Sequence, residues 1–300
     1  MFQRPRLGEE PTLVTEQPED IRLWSVTTII GCLDKPALVP WAAIKTAEAA
    51  VDKVNVWERI LESDGRDEAI NYLKGARFRR GRGERSATEL GTAVHKACER
   101  KVIDGRYRDV DKADMELRPF LHQFDRFLHE FQPDYRAAEV TVLSPTYGYA
   151  GTCDGFLRID GIDFIFDYKT SRDSLDGQGK PKGPYPEVAL QLAAYRYAEM
   201  AAWKARQSEV FRRRYYLLNE KELELCEPVP NADHGLVIYL TPEWYTVHPV
   251  RCDEEIFEHF LHTIEAARFV LDIGKDVIGN PLIPPTALHD STDPFAGIGS

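Results

Sequence analysis

An Asp-Gly turn between two β-strand patterns is the feature that most constrains this chain. The stretch from Gly151 to Lys169 reads as two strands joined at Asp160-Gly161, and a two-residue Asp-Gly loop is a strong β-hairpin signal. With that loop Ile159 pairs with Ile162, and continuing the pairing places Asp154 opposite Asp167. We therefore predict that these two aspartates lie on one face of the hairpin, with Cβ atoms about 5 Å apart.

Charge on this face needs an explanation. Lys169 follows Asp167 by two positions and shares the predicted face. Like charges directly opposed across a sheet are destabilising. A hard divalent cation between the aspartates would offset them, because such ions prefer carboxylate oxygens. The alternative is that Asp167 and Lys169 form an exposed ion pair on a solvated face.

A helix pattern brings an imidazole into consideration. Ser86 and Glu89 form a capping box that predicts a helix running to about Val102. Gly91 lies one turn before His95 on the same stripe, and the gap it leaves would let a metal or a phosphate approach the imidazole. The alternative is a helix-face histidine that pairs with Glu99.

A second helix pattern, from Glu187 to about Lys204, carries Gln191 and Tyr195 one turn apart on a stripe of small apolar residues. The amide and the hydroxyl can reach phosphate oxygens or a neighbouring catalytic group. The alternative is a helix that packs through alanine and tyrosine, with Gln191 bonded locally.

The remaining patterns set the expected organisation. They predict a short strand at 23–30, two or three helices from Pro36 to about Lys74, an amphipathic helix at 111–131, strands at 138–143, 149–159 and 162–170, a hairpin at 236–250 and a final helix at 253–273. We expect a flexible lead at 1–20, a helical extension with a Gly/Arg loop at 21–85, a core at 86–275 and a flexible tail at 276–300.

Four motifs occur in order: Gly91-Thr-Ala-Val-His95, Gly151-Thr-Cys-Asp154, Asp167-Tyr-Lys169 and Gln191-Leu-Ala-Ala-Tyr195. On the predicted helix, strand, strand and helix, they resemble the PD-(D/E)XK nuclease superfamily, in particular its RecB-like branch of helicase-associated nucleases, phage exonucleases and CRISPR-adaptation nucleases. The resemblance covers roughly 86–250. It implies an α/β fold with a mixed central β-sheet flanked by helices, preceded here by the helical extension.

The resemblance also implies roles for single residues. Asp154, Asp167 and His95 would bind one or two Mg²⁺ or Mn²⁺ ions, with the carbonyl of Tyr168 completing the set. Lys169 would orient or activate the attacking water.

Other residues would support these groups in the resemblance. Gln191 and Tyr195 would hold Lys169 or contact the scissile strand, and so count as both catalytic and nucleic-acid-binding. Glu139 is a weaker candidate for a second metal or water site, and Glu99 is a weaker candidate beside His95.

Nucleic acid would have to bind a local basic patch, because the net charge of the chain is −11. Arginines cluster beside glycines in one predicted loop, where they suit backbone phosphates; they are Arg77, Arg79, Arg80, Arg82 and Arg85. A solvated charged loop is the alternative interpretation.

The five cysteines are scattered and include no CxxC pair, so we expect no disulfide framework. Members of the resembled family with an iron–sulfur cluster carry a tight C-terminal group of three cysteines, which this sequence lacks, so the resemblance implies no cluster here. No apolar run is long enough to span a bilayer, and we expect a cytoplasmic protein of a bacterial or phage-infected cell, without membrane contact.

The expected function is metal-dependent DNA cleavage, foremost by an exonuclease in recombination, repair or phage DNA metabolism. The partner would be linear DNA ends, single- or double-stranded; a recombination or helicase partner and a homo-oligomer stay open. The alternatives are a restriction-type or CRISPR-adaptation-type endonuclease, or a catalytically silent module that binds DNA ends. The intact set of Asp154, Asp167 and Lys169 argues against the silent module.

Overall fold

The computed structural model describes residues 21–33, 38–76, 85–107, 114–176, 179–202, 217–218 and 223–281. The helices are α1 (Val26–Ile30), α2 (Leu38–Asp52), α3 (Val54–Ser63), α4 (Arg66–Lys74), α5 (Ala87–Asp104), α6 (Arg118–Phe131), α7 (Glu187–Arg196) and α8 (Glu254–Leu271). The strands are β1 (Ile21–Arg22), β2 (Trp24–Ser25), β3 (Asp134–Ser144), β4 (Tyr149–Ile159), β5 (Ile162–Thr170), β6 (Met200–Ala201), β7 (Leu217–Leu218), β8 (Glu227–Pro228), β9 (His234–Leu240) and β10 (Tyr245–Val250).

One mixed eight-stranded sheet organises these elements, as the sequence predicts for the fold class. Its order is β10-β9-β5-β4-β3-β6-β8, and β2 pairs with β4 in parallel. Strands β3, β4 and β5 form an antiparallel meander, while β5 and β9 run parallel. The short strands β1 and β7 pair separately.

Helices cover both faces of this sheet. On one face α1, α7 and α8 pack through buried residues such as Ile29, Leu192 and Phe260. On the other face α5 and α6 pack through residues such as Val94 and Phe124. Burying apolar residues on both faces makes the sheet the central layer of three.

The predicted hairpin register is confirmed where the two strands are paired. Ile159 pairs with Ile162, and the ladder continues in step to Gly155 and Phe166. Asp154 and Asp167 are the next residues along each strand, so the Asp160-Gly161 turn fixes their approach.

The prediction that both carboxylates share one face does not hold, because the side-chain alternation of β4 is interrupted. Cys153 and Phe156 both pack in the α7–α8 layer although an odd number of positions separates them. Gly155 lies between them with φ 147°, a conformation that side chains rarely adopt. Asp154 is therefore turned toward α5, whereas Asp167 follows the alternation of Ile165 and faces α7.

Three predicted elements differ from the structure. Residues 26–30 form a helix rather than a strand, because Ser25 caps it and Val26, Ile29 and Ile30 bury one helical face. Helix α6 begins only at Arg118, where Pro119 occupies its first turn. Helix α7 ends at Arg196, and the chain enters β6 at Met200.

The central fold includes part of the N-terminal segment that the sequence analysis assigned to the helical extension. Three helices, α2 to α4, follow one another as expected. Strand β2 and helix α1, which the prediction placed in the extension, instead pack within the central fold. The predicted lead at 1–20 and most of the predicted tail lie outside the described residues. None of the described helices is both long and apolar enough to span a membrane.

Substituting Gly155 tests the interruption of β4. A Cβ at this position would lie 2.0 Å from the carbonyl oxygen of Ala137. We expect Gly155→Ala to lower the free energy of unfolding by about 3 kcal/mol or more. Gly161→Ala is the control, since a Cβ there meets nothing within 4 Å, and should cost about 1–2 kcal/mol. Equal losses in urea denaturation would show that Gly155 is not a special position.

Candidate active site

Asp154 lies where β4 leaves the paired ladder and faces helix α5. Its Oδ2 atom accepts a 2.6 Å hydrogen bond from the backbone N–H of Tyr168. The same oxygen is 3.5 Å from Nδ1 of His95, a longer contact than a normal hydrogen bond. The backbone of β5 thus fixes the Asp154 carboxylate, and α5 presents the imidazole to it.

Asp167 is held from the other side of the sheet. Its side chain is only 5% exposed, and its Oδ2 atom is 2.7 Å from Nζ of Lys169. Gln191 on α7 bridges the pair, because its Nε2 donates to Oδ1 of Asp167 at 3.0 Å and its Oε1 accepts from Lys169 at 3.2 Å. The Gln191 amide therefore has a fixed orientation, and Lys169 is held between two acceptors.

Tyr195, one turn further along α7, contacts the Gln191 amide that bridges Asp167 and Lys169. Its hydroxyl accepts a 3.4 Å hydrogen bond from Nε2 of Gln191, and the residue is 2% exposed. A Cβ on Gly151 would lie 2.6 Å from the Tyr195 ring, so only glycine in β4 admits this ring. Burial prevents Tyr195 from contacting a nucleic acid directly in this conformation. Its hydroxyl contacts Gln191 rather than Lys169, so any support it gives Lys169 acts through the Gln191 amide.

The pKa values of the two carboxyl groups shift in opposite directions. Burial, together with the negative charge of Asp154, raises the pKa of Asp167 to about 6. Burial also disfavours the charged form of Asp154, but His95 and the Tyr168 N–H outweigh it and lower the Asp154 pKa. For His95 burial acts against protonation, and the charge of Asp154 outweighs it and raises the pKa.

The donor set fits a divalent cation chemically. Asp154 and Asp167 supply carboxylate oxygens, which Mg²⁺ prefers, and His95 supplies a nitrogen that Mn²⁺ accepts more readily. Burial and the neighbouring Asp154 charge both raise the pKa of Asp167, and a bound cation would favour its ionised form. Within the described part of the chain, no three acidic, histidine or cysteine side chains already converge as ligands.

The weaker candidates lie in one pocket beside His95. Its walls include Glu99 from α5, Glu139 from β3, Asp154 and the Tyr168 ring. Glu139 falls opposite Asp154, between the pairs Ala138–Gly155 and Val140–Cys153, and has a φ of 54°. The structure thus brings both glutamates toward the face of Asp154 that points to α5.

The surroundings of Gly91 and of Arg85 differ from those that the sequence predicts. The gap at Gly91 is filled rather than open, because a Cβ there would lie 3.2 Å from Oγ1 of Thr170. Arg85, predicted to bind nucleic acid, forms ion pairs with Asp114 and Glu116. Four further arginines lie outside the described residues: Arg77, Arg79, Arg80 and Arg82.

Sequence reasoning overlooked two contributors to the site. Gly151 belongs to a quoted motif, but its role depends on how closely α7 approaches β4. Tyr135 on β3 shares a 2.9 Å hydrogen bond between its hydroxyl and that of Tyr168. The Tyr168 ring in turn packs edge-on to His95, with ring centroids 5.7 Å apart. No local pattern identifies these contacts, since each joins distant segments.

Stability of the metal-free protein should depend on the ionisation of Asp167. Its pKa of about 6 in the folded state exceeds that of an ordinary aspartate, about 4. Between these values the folded state keeps a proton that the unfolded state has lost, so stability falls as pH rises through this window. In chelator at about pH 8, Asp167→Asn should be about 1–3 kcal/mol more stable than the wild type.

Urea denaturation at about pH 4 and about pH 8 measures this difference. Asp163→Asn on the same strand is the control, because its hydrogen bond with Arg158 lowers the Asp163 pKa. That variant should lose stability near neutral pH rather than gain it. Identical pH dependence in wild type and Asp167→Asn would contradict the assignment.

No protein-family model matches the chain, and no curated protein matches it significantly. Among solved structures, the chain is similar to the crystal structure of SSO0001, with 12% sequence identity and a TM-score of 0.34. That match covers 85% of this chain and 79% of the other.

Proposed function

We propose that the protein is a metal-dependent DNA nuclease that hydrolyses phosphodiester bonds. The observation that carries the proposal is the Gln191 amide, which ties the acidic Asp167 to the basic Lys169 beside Asp154 and His95. A buried carboxylate pair with an ammonium held beside it fits a reaction in which water attacks a negatively charged phosphate.

Asp154, Asp167 and His95 would hold the metal, with the Tyr168 carbonyl as a further ligand. Bound Mg²⁺ or Mn²⁺ would polarise the phosphate and lower the pKa of a coordinated water. The protein supplies orientation: the Tyr168 N–H fixes Asp154, and Gln191 fixes Asp167. Tyr195 limits rotation of the Gln191 amide from its buried position.

Lys169 would act on the attacking water and on the phosphate. Its side chain is 36% exposed, whereas that of Asp167 is 5% exposed, so part of the Lys169 side chain borders solvent while the Asp167 side chain is buried. The contacts to Asp167 and Gln191 keep the ammonium beside the carboxylates. An ammonium in this position would orient the water and offset the charge that develops on the phosphate oxygens.

The proposed substrate is linear DNA attacked from an end. The basic stretch before α5 would bind backbone phosphates, and the acidic remainder of the chain would disfavour binding elsewhere. A cytoplasmic role in recombination, repair or phage DNA metabolism, with a recombination or helicase partner, follows as part of this proposal.

Cleavage of end-labelled linear DNA and of covalently closed DNA, with and without Mn²⁺, tests the proposal. Asp167→Ala and Lys169→Ala should each lower the cleavage rate by about 100-fold or more. Lys169→Ala should retain metal binding, because an ammonium is not a ligand. Asp163→Ala, on the same strand but paired with Arg158, is the control and should keep the activity.

Preference for linear over closed DNA would support an exonuclease, and cleavage of both would indicate an endonuclease. Binding of DNA ends without metal-dependent cleavage would leave only the binding module. Full activity in Asp167→Ala would contradict the proposed site.

A further inference from the structure

Two arginines from separate segments converge on the Glu116 carboxylate. Its Oε2 atom is 3.1 Å from Nη1 of Arg85, and its Oε1 atom accepts a hydrogen bond from Nη2 of Arg172. The backbone N–H of Arg85 also donates to both oxygens, at 3.3 Å and 3.4 Å. Guanidinium groups that donate together to one carboxylate can also bind the oxygens of a phosphate.

The neighbouring Asp114 has a different role. It pairs with Arg85 through both oxygens, at 2.7 Å and 3.1 Å, and accepts the backbone N–H of Leu117 ahead of α6. Asp114 therefore anchors Arg85 and the start of α6 at once. Glu116 accepts hydrogen bonds only from the two arginines among the contacts that the described residues show.

These donors lie close to the proposed active site along the chain and in space. Arg172 follows Lys169 by three positions, and its guanidinium also donates to the carbonyl of Arg85 at 2.9 Å. Gly91 of α5 packs against Thr170, next to Lys169. The start of α5 at Ala87 lies about 12 Å from His95 along the helix axis. A nucleic-acid backbone along α5 would meet both sites within a few nucleotides.

We propose that Arg85 and Arg172 form a phosphate-binding subsite for the nucleic-acid backbone, and that Glu116 occupies this subsite in the free protein. The inference rests on the proposed nuclease function and adds a second point of substrate contact.

A phosphate can replace the Glu116 carboxylate in the same contacts. All three side chains are partly exposed, with 41% exposure for Arg172 and 23% for Glu116. Ion pairs at such positions contribute little to folding. A phosphodiester offers two charged oxygens to the same forked donors, and arginine binds such groups in bidentate geometry. Glu116 keeps the donors satisfied until the substrate arrives.

Binding of a fluorescein-labelled single-stranded oligonucleotide tests the subsite. We would measure it in Mg²⁺ in the cleavage-deficient Asp167→Ala background. Glu116→Gln should tighten binding about fivefold, because the competing carboxylate becomes neutral. Glu258→Gln on the exposed face of α8 is the charge-matched control and should change binding less than about twofold.

Arg172→Ala gives an independent measurement. It should weaken binding about tenfold and reduce the slope of log affinity against log salt by about 0.7, the value for one lost contact to a single strand. Arg268→Ala on α8 is its control and should leave the slope unchanged. Thermal melts of all variants would identify any that fail to fold.

Equal changes in Glu116→Gln and Glu258→Gln, or in Arg172→Ala and Arg268→Ala, would overturn the subsite. Metal-dependent cleavage by the wild type would then still support the nuclease. Absence of both binding and cleavage in the wild type would overturn the function and the subsite together.

Discussion

The pairing of β4 with β5 determines where every polar group of the candidate site lies. The ladder brings Asp154 and Asp167 to neighbouring positions at its open end. Gly155 then turns Asp154 toward α5, so the two carboxylates approach from opposite layers. Without this turn both aspartates would lie on one face, and His95 on α5 would lose its contact with Asp154. The hairpin therefore brings residues of two helices, α5 on one face of the sheet and α7 on the other, to the same pair of carboxylates.

Hydrogen bonds hold Asp154 and Asp167 in place although their two negative charges repel each other. Backbone and amide hydrogen bonds fix both aspartates, while burial and mutual repulsion raise the pKa of Asp167 to about 6. Carboxylates with perturbed pKa values cluster at functional sites. Lys169 offsets part of this charge through its contact with Asp167, and its side chain stays partly exposed.

Local patterns predicted much of this arrangement. The Asp160-Gly161 turn fixed the register, and the Ser86–Glu89 capping box fixed the start of α5, because each signal acts within a few residues. The contact of Gln191 with Lys169 is one that the resemblance implied, whereas helix spacing alone placed Gln191 one turn from Tyr195.

What the sequence did not predict depends on contacts between distant segments. The direction of Asp154 depends on how Gly155 meets β3, and the burial of Tyr195 depends on Gly151. The engagement of Arg85 depends on Asp114 and Glu116 in another part of the chain. The β-branched residues Val26 and Ile29 form a helix because packing on α7 and α8 outweighs their local preference.

Binding of Mn²⁺ to the folded protein tests the central claim most directly. Thermal melts with and without saturating Mn²⁺ should show a clear stabilisation of the wild type, because an ion that binds only the folded state stabilises it by mass action. Asp167→Ala should gain much less, while Lys169→Ala should gain nearly as much as the wild type. An equal Mn²⁺-induced shift in wild type and Asp167→Ala would show that the metal binds elsewhere and would contradict the account.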